Sequence, residues 1–213
     1  MNFFKILLTM LVLTLTLSAN ISIAEKKENF RKLIIPAIDK VYNELQTQYT
    51  EVLHYISKSD HYKTKIEELK KLYKVKTDEE LLLRLKPHPR SIAIAQAAIE
   101  SAWATSRFFR KANNIFGVWS FNKNDSRIAA GEQRGSKTIW LRKYDTIEDS
   151  VRDYYRTLAR TRAYKEFREL KMKTDDPYKL VKKLDSYSEL GAKYGEKLSS
   201  MIRYNKFYLY DKS

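Results

Sequence analysis

The segment Ala95–Trp103, AQAAIESAW, places a single carboxylic acid, Glu100, at the end of an otherwise apolar helix. The residues that lead up to it are small or branched: Ile92, Ala93, Ile94, Ala95, Ala97, Ala98 and Ile99. A helix without a polar face is typical of one that is packed on all sides. Gln96, Glu100 and Trp103 recur at i, i+4 and i+7, so we expect them to share one side of this helix.

The position of Glu100 predicts unusual acid–base behaviour. A carboxyl group that loses water on burial has a raised pKa and keeps its proton closer to neutral pH. It can then act as the general acid of a glycosidase. The alternative is a structural Glu100 paired with an arginine such as Arg107, because buried charges are usually paired. The helix alone leaves both interpretations open.

The composition is that of a helical protein with one sizeable core or one domain plus a helical extension. The chain has 213 residues, 43% of them hydrophobic, with only 5 Gly and 4 Pro. It contains no cysteine, so no disulfide can stabilise the fold. The core must therefore provide the stability of the mature protein.

The first residues are typical of a signal peptide, which we assign to residues 1–24. Lys5 is followed by an apolar run over residues 6–17, which is short for a membrane span of about twenty residues. Small residues favour cleavage after Ala24, with cleavage after Ala19 as an alternative. An uncleaved membrane anchor is the other interpretation. The leader predicts export from the cytoplasm.

The charge predicts a polyanionic partner. The net charge of +15 falls to +14 when Lys5 is removed with the leader. An exported protein meets cell-wall polymers rather than nucleic acid, and the basic residues are spread through the chain instead of forming one stripe. We therefore expect no nucleic-acid partner, and contact with a membrane only through an uncleaved leader.

The chain divides at about residue 87. Helical patterns cover residues 28–57, with Pro36 in a kink or a break, and residues 60–74. A short helix should follow from Thr77, which is spaced as a capping box with Glu80, and should end before Pro87. Residues 25–86 are thus predicted to be a helical N-terminal region, and residues 87–213 a compact domain.

The second part of the chain combines a β-hairpin with further helices. Residues 118–121 and 138–144 have strand character, and a polar loop with Gly131 and Gly135 lies between them. Helices resume after a T-x-x-D cap at Thr146, after Asp176-Pro177, and over residues 189–205. The predicted fold is mainly α with a small β-hairpin lobe (α+β), whose loop should face Glu100 across a groove.

Four motifs in this order resemble the family 73 glycoside hydrolases, in particular the Bax-type members. They are AQAAIESAWATSRF, NNIFGVW, the pattern of tyrosines and Asp145 from Tyr144 to Tyr155, and YSELGAKYGEKLSSMI from Tyr187. The resemblance covers about residues 87–206, and because Bax-type proteins belong to Gram-negative bacteria, it implies that the exported protein lies in the periplasm of such a bacterium. It implies a lysozyme-like fold and cleavage of the β-1,4 bond on the reducing side of N-acetylglucosamine in the glycan strands of peptidoglycan.

The resemblance also implies roles for individual residues. Glu100 matches the general acid of the family, and Tyr187 aligns with a tyrosine that lines the active site. Ser101 should cap or pack, and Tyr194 should be structural. Ala102 and Ala104 stand where glycines are common, which predicts a stiffer backbone after the acid. The expected substrate contacts are Gln96, Asn114, Phe116, Gly117 and Trp119.

The second catalytic group is left open between three candidates. Glu132 and Asp125 both lie in the predicted hairpin loop, and either could activate water in an inverting mechanism. If neither does, the acetamido group of the substrate could act as the nucleophile.

Metal and cofactor chemistry is not expected. His54, His61 and His88 are the only histidines, and two of them precede the predicted domain. The alternatives to a hydrolase are a lytic transglycosylase, which uses one glutamate in a similar groove, and a peptidoglycan-binding module that has lost catalysis.

Overall fold

The computed structural model describes residues 22–56, 62–134 and 137–212. Helix α1, Ile23–Tyr55, begins at Ser22, whose hydroxyl accepts a hydrogen bond from the backbone N–H of Glu25 at 3.1 Å. The expected leader lies outside the described residues except for its last three, which form this helix start. Within the described ranges, no helix is both long enough and apolar enough to cross a membrane.

Helix α1 is continuous through Pro36, so of the predicted kink or break, the break does not occur. Its inward face is fully buried at Phe30, Ile34, Ile38 and Val41. These side chains pack in the same cluster as the apolar residues of the Glu100 helix. The N-terminal region therefore supplies part of the main core.

Two short helices complete the N-terminal region. Helix α2 spans Lys63–Tyr73 and helix α3 spans Asp78–Leu85. The predicted cap is present, because the Thr77 hydroxyl accepts the N–H of Glu80 at 3.2 Å. A second apolar cluster joins these helices to the rest of the fold: Val52, Ile66, Leu69, Tyr73, Leu81, Leu85 and Ala159.

Helix α4, Arg90–Glu100, lies at the centre of the molecule. Every residue from Arg90 to Ala98 is buried, which confirms the prediction of a helix packed on all sides. Helix α5, Arg107–Ala112, follows after a turn.

The β lobe is an antiparallel hairpin of strands β1, Arg127–Arg134, and β2, Lys137–Arg142. The second predicted strand is confirmed, but the first is wrong. Trp119 makes only an isolated bridge to Leu141, and the segment predicted as a polar loop forms β1. The register shifts between Ala129 and Gln133, and an irregularity of this kind keeps a strand continuous around unpaired residues, here the stretch with Gly131.

The remaining helices are α6, Ile147–Arg160, α7, Lys165–Lys171, α8, Pro177–Leu180, and α9, Ala192–Tyr204. Short 3₁₀ turns follow at 162–164, 181–183, 185–187 and 207–212.

The predicted caps at Thr146 and Asp176 are both formed. The last long helix begins later than predicted, at Ala192, because Gly191 before it has a φ of +55°. The prediction of a mainly helical fold with a small β-hairpin lobe is confirmed.

Candidate active site

Glu100 is the last residue of α4, where the helix leaves the core and the side chain becomes partly exposed. Its Oε1 accepts a hydrogen bond from the hydroxyl of Tyr194 at 2.8 Å. Tyr194 is contributed by α9, so two distant segments of the chain build this contact. The tyrosine hydroxyl occupies one oxygen of the carboxyl group and leaves Oε2 as the position for a proton that can be given away.

The hydrogen bond to Glu100 is the last in a buried hydrogen-bonded chain of side chains. Gln96 is fully buried, and its Nε2 donates to the Tyr194 hydroxyl at 3.2 Å. The Oε1 of Gln96 accepts from the Tyr154 hydroxyl at 2.6 Å, and His88 Nε2 lies 2.9 Å from that hydroxyl. Because Tyr154 already donates to an amide oxygen, the His88 nitrogen must be the donor in the last contact. Every donor in this hydrogen-bonded chain therefore points towards Glu100.

Burial decides the charge states of Glu100 and His88, the two ends of this hydrogen-bonded chain. Loss of water raises the pKa of Glu100, and this effect outweighs the Tyr194 hydrogen bond and the nearby Lys197, which both lower the pKa. Burial, assisted by the charge of Lys171, holds the pKa of His88 well below its usual value. His88 is therefore a neutral imidazole, and Glu100 keeps its proton to a higher pH than a solvated glutamate does.

Arg107, the alternative partner predicted for Glu100, forms no ion pair with it among the described residues. The guanidinium of Arg107 donates to the carbonyl oxygens of Ala129 and Ala130, at 2.9 and 3.4 Å. Among the described residues, no ion pair involves Glu100, so its nearest polar partner is a neutral hydroxyl.

The turn after Glu100 has an unusual backbone. Ala102, Trp103 and Ala104 have φ values of +50°, +60° and +62°, in the left-handed region that favours glycine. The buried Ser101 stabilises the turn, because its hydroxyl donates to the carbonyl of Ala97 at 2.6 Å and accepts the N–H of Ala104 at 2.8 Å.

The backbone turn also moves Trp103 away from the predicted position. The helix ends at Glu100, so the seven-residue spacing from Gln96 no longer follows a helical period. Trp103 instead packs edge-on against Phe30, with the ring centroids 5.3 Å apart. The prediction that it shares one side with the acid is wrong.

A groove of about 650 Å³ holds four of the predicted site residues: Phe116, Gly117, Trp119 and Tyr187. Tyr187 connects the groove to the acid, because its ring is stacked on that of Tyr194 with centroids 5.5 Å apart and an interplanar angle of 7°. Glu100 is not among the described residues that line this groove, and it is reached through Tyr194. Trp119 is 42% exposed and offers its ring to solvent.

Three of the expected substrate contacts are buried: Gln96, Asn114 and Phe116. Gln96 has no exposed surface and belongs to the hydrogen-bonded chain described above. Asn114 is 1% exposed, and its amide bonds the backbone of Val118 and Arg142. Asn114 therefore fixes the turn that carries Phe116 and Gly117, where the φ of +66° at Gly117 favours glycine.

The two candidate second acids lie in the β lobe. The carboxylate of Asp125 accepts from the Ser120 hydroxyl at 2.9 Å and lies 3.6 Å from Arg142 Nε. These contacts tie Asp125 to the base of the hairpin. Glu132 is part of strand β1, but its side chain lies outside the described residues, so its role as a second acid stays a prediction.

The sequence predicts only a structural role for Tyr194 and does not identify His88 or Tyr154 as part of the site. The only sequence signal for these residues is the spacing of Gln96 and Glu100, which places two polar side chains on one face of a buried helix. Such side chains need a polar partner from another segment. No periodicity identifies which of the 15 tyrosines supplies it.

Comparison with known proteins identifies the family. The model of the glucosaminidase family, described as mannosyl-glycoprotein endo-beta-N-acetylglucosaminidase, matches residues 79–207. The match covers more than half of the chain, so the chain belongs to this family, and the resemblance seen in its motifs is confirmed.

A curated relative and two solved structures are similar over parts of the chain. Protein bax of Escherichia coli (strain K12) is 28% identical over 158 residues, which are 68% of this chain and 56% of that protein. The chain thus spans just over half the length of this relative. A peptidoglycan hydrolase from Sphingomonas sp. A1 is 22% identical, with a TM-score of 0.47, and the match covers 58% of this chain and 80% of that one. The catalytic domain of the autolysin Auto from Listeria monocytogenes is also 22% identical, with a TM-score of 0.47. This match covers 78% of this chain and 96% of that one.

Proposed function

We propose that this protein is a glycoside hydrolase that cleaves the β-1,4 bond on the reducing side of N-acetylglucosamine in peptidoglycan. Membership of the glucosaminidase family supports the reaction class. The observation that carries the assignment of the acid is the raised pKa of Glu100, together with its hydrogen bond to Tyr194, whose ring is stacked on Tyr187 of the groove.

In this proposal, Glu100 is the general acid. Its proton sits on Oε2, because the Tyr194 hydroxyl donates to Oε1, and it is transferred to the glycosidic oxygen as the C–O bond breaks. The leaving sugar departs with a neutral hydroxyl group, and Glu100 becomes a carboxylate. The anomeric carbon forms its new bond either to water directly or first to the acetamido oxygen of the substrate, which water then displaces. Tyr194 then stabilises that carboxylate through the same hydrogen bond, which becomes stronger when its acceptor is charged.

Tyr187 and Trp119 would hold the sugar rings, whereas Phe116 is 3% exposed and its ring is stacked on that of Tyr154. Tyr187 and Trp119 both line the groove, and aromatic faces pack well against the apolar faces of pyranose rings. Tyr187 is kept in place by its stacking on Tyr194, so one pair of tyrosines would align the substrate and the acid together.

We further propose that the protein is exported to the periplasm. The leader-like first 24 residues support this, as does the net positive charge, which would attract the protein to an anionic cell wall over a distance set by the salt concentration.

The test is digestion of purified peptidoglycan sacculi by the parent protein and by Glu100→Gln. The parent should release fragments with N-acetylglucosamine at the new reducing end, detected by mass spectrometry after borohydride reduction. Glu100→Gln should lose hydrolysis and keep the fold, because glutamine can still accept the Tyr194 hydrogen bond. Glu169→Gln, an exposed glutamate on α7, is the matched control and should digest at the parent rate.

Two results would contradict the proposal. Digestion by Glu100→Gln at the parent rate would remove the assigned acid. Fragments that end in anhydro-muramic acid would identify a lytic transglycosylase instead.

A further inference from the structure

The groove beside Tyr187 continues to a strongly basic end. Its cationic lining residues are Lys74, Arg142, Arg156 and Arg160, and among the described residues its only acidic one is Asp153. The aromatic lining and the cationic lining belong to one continuous cavity. A ligand that fills the groove would therefore touch both.

Asp153 does not neutralise this end of the groove. Its Oδ2 accepts from Arg142 Nη1 at 3.0 Å and from the Tyr144 hydroxyl at 2.7 Å. Arg142 and Asp153 therefore compensate each other. Lys74, Arg156 and Arg160 form no ion pair within the described residues and remain as three uncompensated positive charges.

This arrangement is unfavourable without a ligand. Helix α6 places Arg156 and Arg160 four residues apart, so that two like charges lie one turn from each other. Arg84 donates to the backbone carbonyl of Arg160 at 2.9 Å and brings a further guanidinium nearby. An anion bound here would relieve this repulsion.

We propose that the basic end of the groove, formed by Lys74, Arg156 and Arg160, is a subsite for the carboxylates of the peptide stems on the glycan strand. The proposal rests on the proposed function, because it takes peptidoglycan as the substrate. A muramic acid residue next to each N-acetylglucosamine carries its peptide on a lactyl group, so sugar and peptide carboxylates reach the groove on one molecule.

The side chains present suit a carboxylate. A guanidinium group forms two parallel N–H···O bonds with a carboxylate, and two arginines one turn apart can hold neighbouring acidic groups. Thr157 and Thr161 line the same stretch and can donate hydroxyl hydrogens.

Lys74 comes from the segment before residue 79, where the family match begins. It is the residue that follows α2 and has a φ of +55°. The N-terminal helical region would therefore complete a subsite that the family domain builds only in part.

The experiment measures binding in the inactive Glu100→Gln protein, so that no ligand is consumed. The tested variant adds Arg156→Gln and Arg160→Gln. The matched control adds Arg110→Gln and Lys173→Gln, which remove the same charge from exposed positions outside the groove. The ligands are peptide-bearing glycan oligomers, the same oligomers after an amidase has removed the peptides, and poly(glycerol phosphate).

The tested variant should bind peptide-bearing oligomers roughly tenfold to a hundredfold more weakly than the control. Binding of the stripped oligomers, which keep only the lactyl carboxylate, should be the same in both proteins. Lys74→Gln should weaken binding of the peptide-bearing ligand by roughly threefold to tenfold. The difference between the two double variants should shrink as salt is added.

Three results would overturn the proposal. The first is equal binding of peptide-bearing oligomers by the tested variant and the control. The second is a loss of binding by the tested variant that is as large for stripped oligomers as for peptide-bearing ones. The third is a loss confined to poly(glycerol phosphate), which would assign the subsite to a phosphate polymer. A parent protein that binds these ligands but does not hydrolyse sacculi would contradict the proposed function and leave this subsite intact.

Discussion

Replacing Tyr194 by phenylalanine removes the single oxygen atom that joins Gln96 to Glu100. Two hydrogen bonds are lost, the donation to Glu100 at 2.8 Å and the donation from Gln96 Nε2 at 3.2 Å. Gln96 is fully buried, so one of its N–H groups is left without a partner. A buried donor without a partner costs about 1–3 kcal/mol of stability, and for a chain of this size each kcal/mol lowers the melting temperature by roughly 2–4 °C.

The same change should alter the acid. The Tyr194 hydrogen bond lowers the pKa of Glu100, so without it burial raises that pKa further. The alkaline limb of the kcat/KM profile, which reports deprotonation of the acid in the free enzyme, should move to higher pH. A carboxyl group that is no longer held in place should also lower kcat, by roughly 10-fold to 100-fold.

The assay is hydrolysis of purified glycan strands across a pH series, together with thermal unfolding. Tyr155→Phe is the matched control, because its hydroxyl is buried and forms no hydrogen bond within the described residues. Its removal should change neither the rate nor the pH profile. A folded Tyr194→Phe protein with the parent rate and an unmoved alkaline limb would refute the role assigned to the tyrosine.

Two further predictions concern stability. Ala104→Gly should raise the free energy of unfolding by about 0.5–1 kcal/mol. The reason is that relief of the left-handed strain at a φ of +62° exceeds the added entropy of the unfolded chain. A lower melting temperature in calorimetry would contradict this. Lys171 is buried among positive charges, and its pKa is lowered from 10.5 to about 7, which corresponds to a cost of at most roughly 5 kcal/mol. This cost is fully present below about pH 7 and disappears as pH rises towards 10.5. Lys171→Met also loses the hydrogen bond that the Lys171 ammonium donates to the Lys86 carbonyl, so the prediction is the pH trend: its melting temperature relative to the parent should be highest in mildly acidic buffer and fall as the pH rises. A relative melting temperature that rises with pH would contradict this.

Local signals in the sequence predicted much of the fold. The absence of a polar face identified α4 as a buried helix, and the caps at Thr77, Thr146 and Asp176 marked where three other helices begin. These features depend on residues within one or two turns of each other, so a single sequence contains the information.

The sequence did not predict features that depend on distant contacts or on a backbone conformation that its residues disfavour. Gly131 and its polar neighbours indicated a loop, whereas Gly131 lies within β1, in the register irregularity between Ala129 and Gln133. Alanine itself gives no sign of a left-handed turn, and the only indication in the sequence is that glycines are common at positions 102 and 104 in the family that it resembles. The helical period therefore predicts a helix that continues past Glu100 to Trp103. Tyr194 lies 94 residues from Glu100 along the chain, and only the packing of α9 against α4 brings them together.

The most direct test is the pKa of Glu100 itself, measured from the ¹³C chemical shift of its side-chain carboxyl group in an NMR titration, with Glu100→Gln used to assign the signal. The structure predicts a midpoint above the ordinary value of 4.5 and a further increase in Tyr194→Phe. A midpoint at or below 4.5 would show a carboxylate that has already lost its proton at neutral pH, and it would contradict the assignment of Glu100 as the acid.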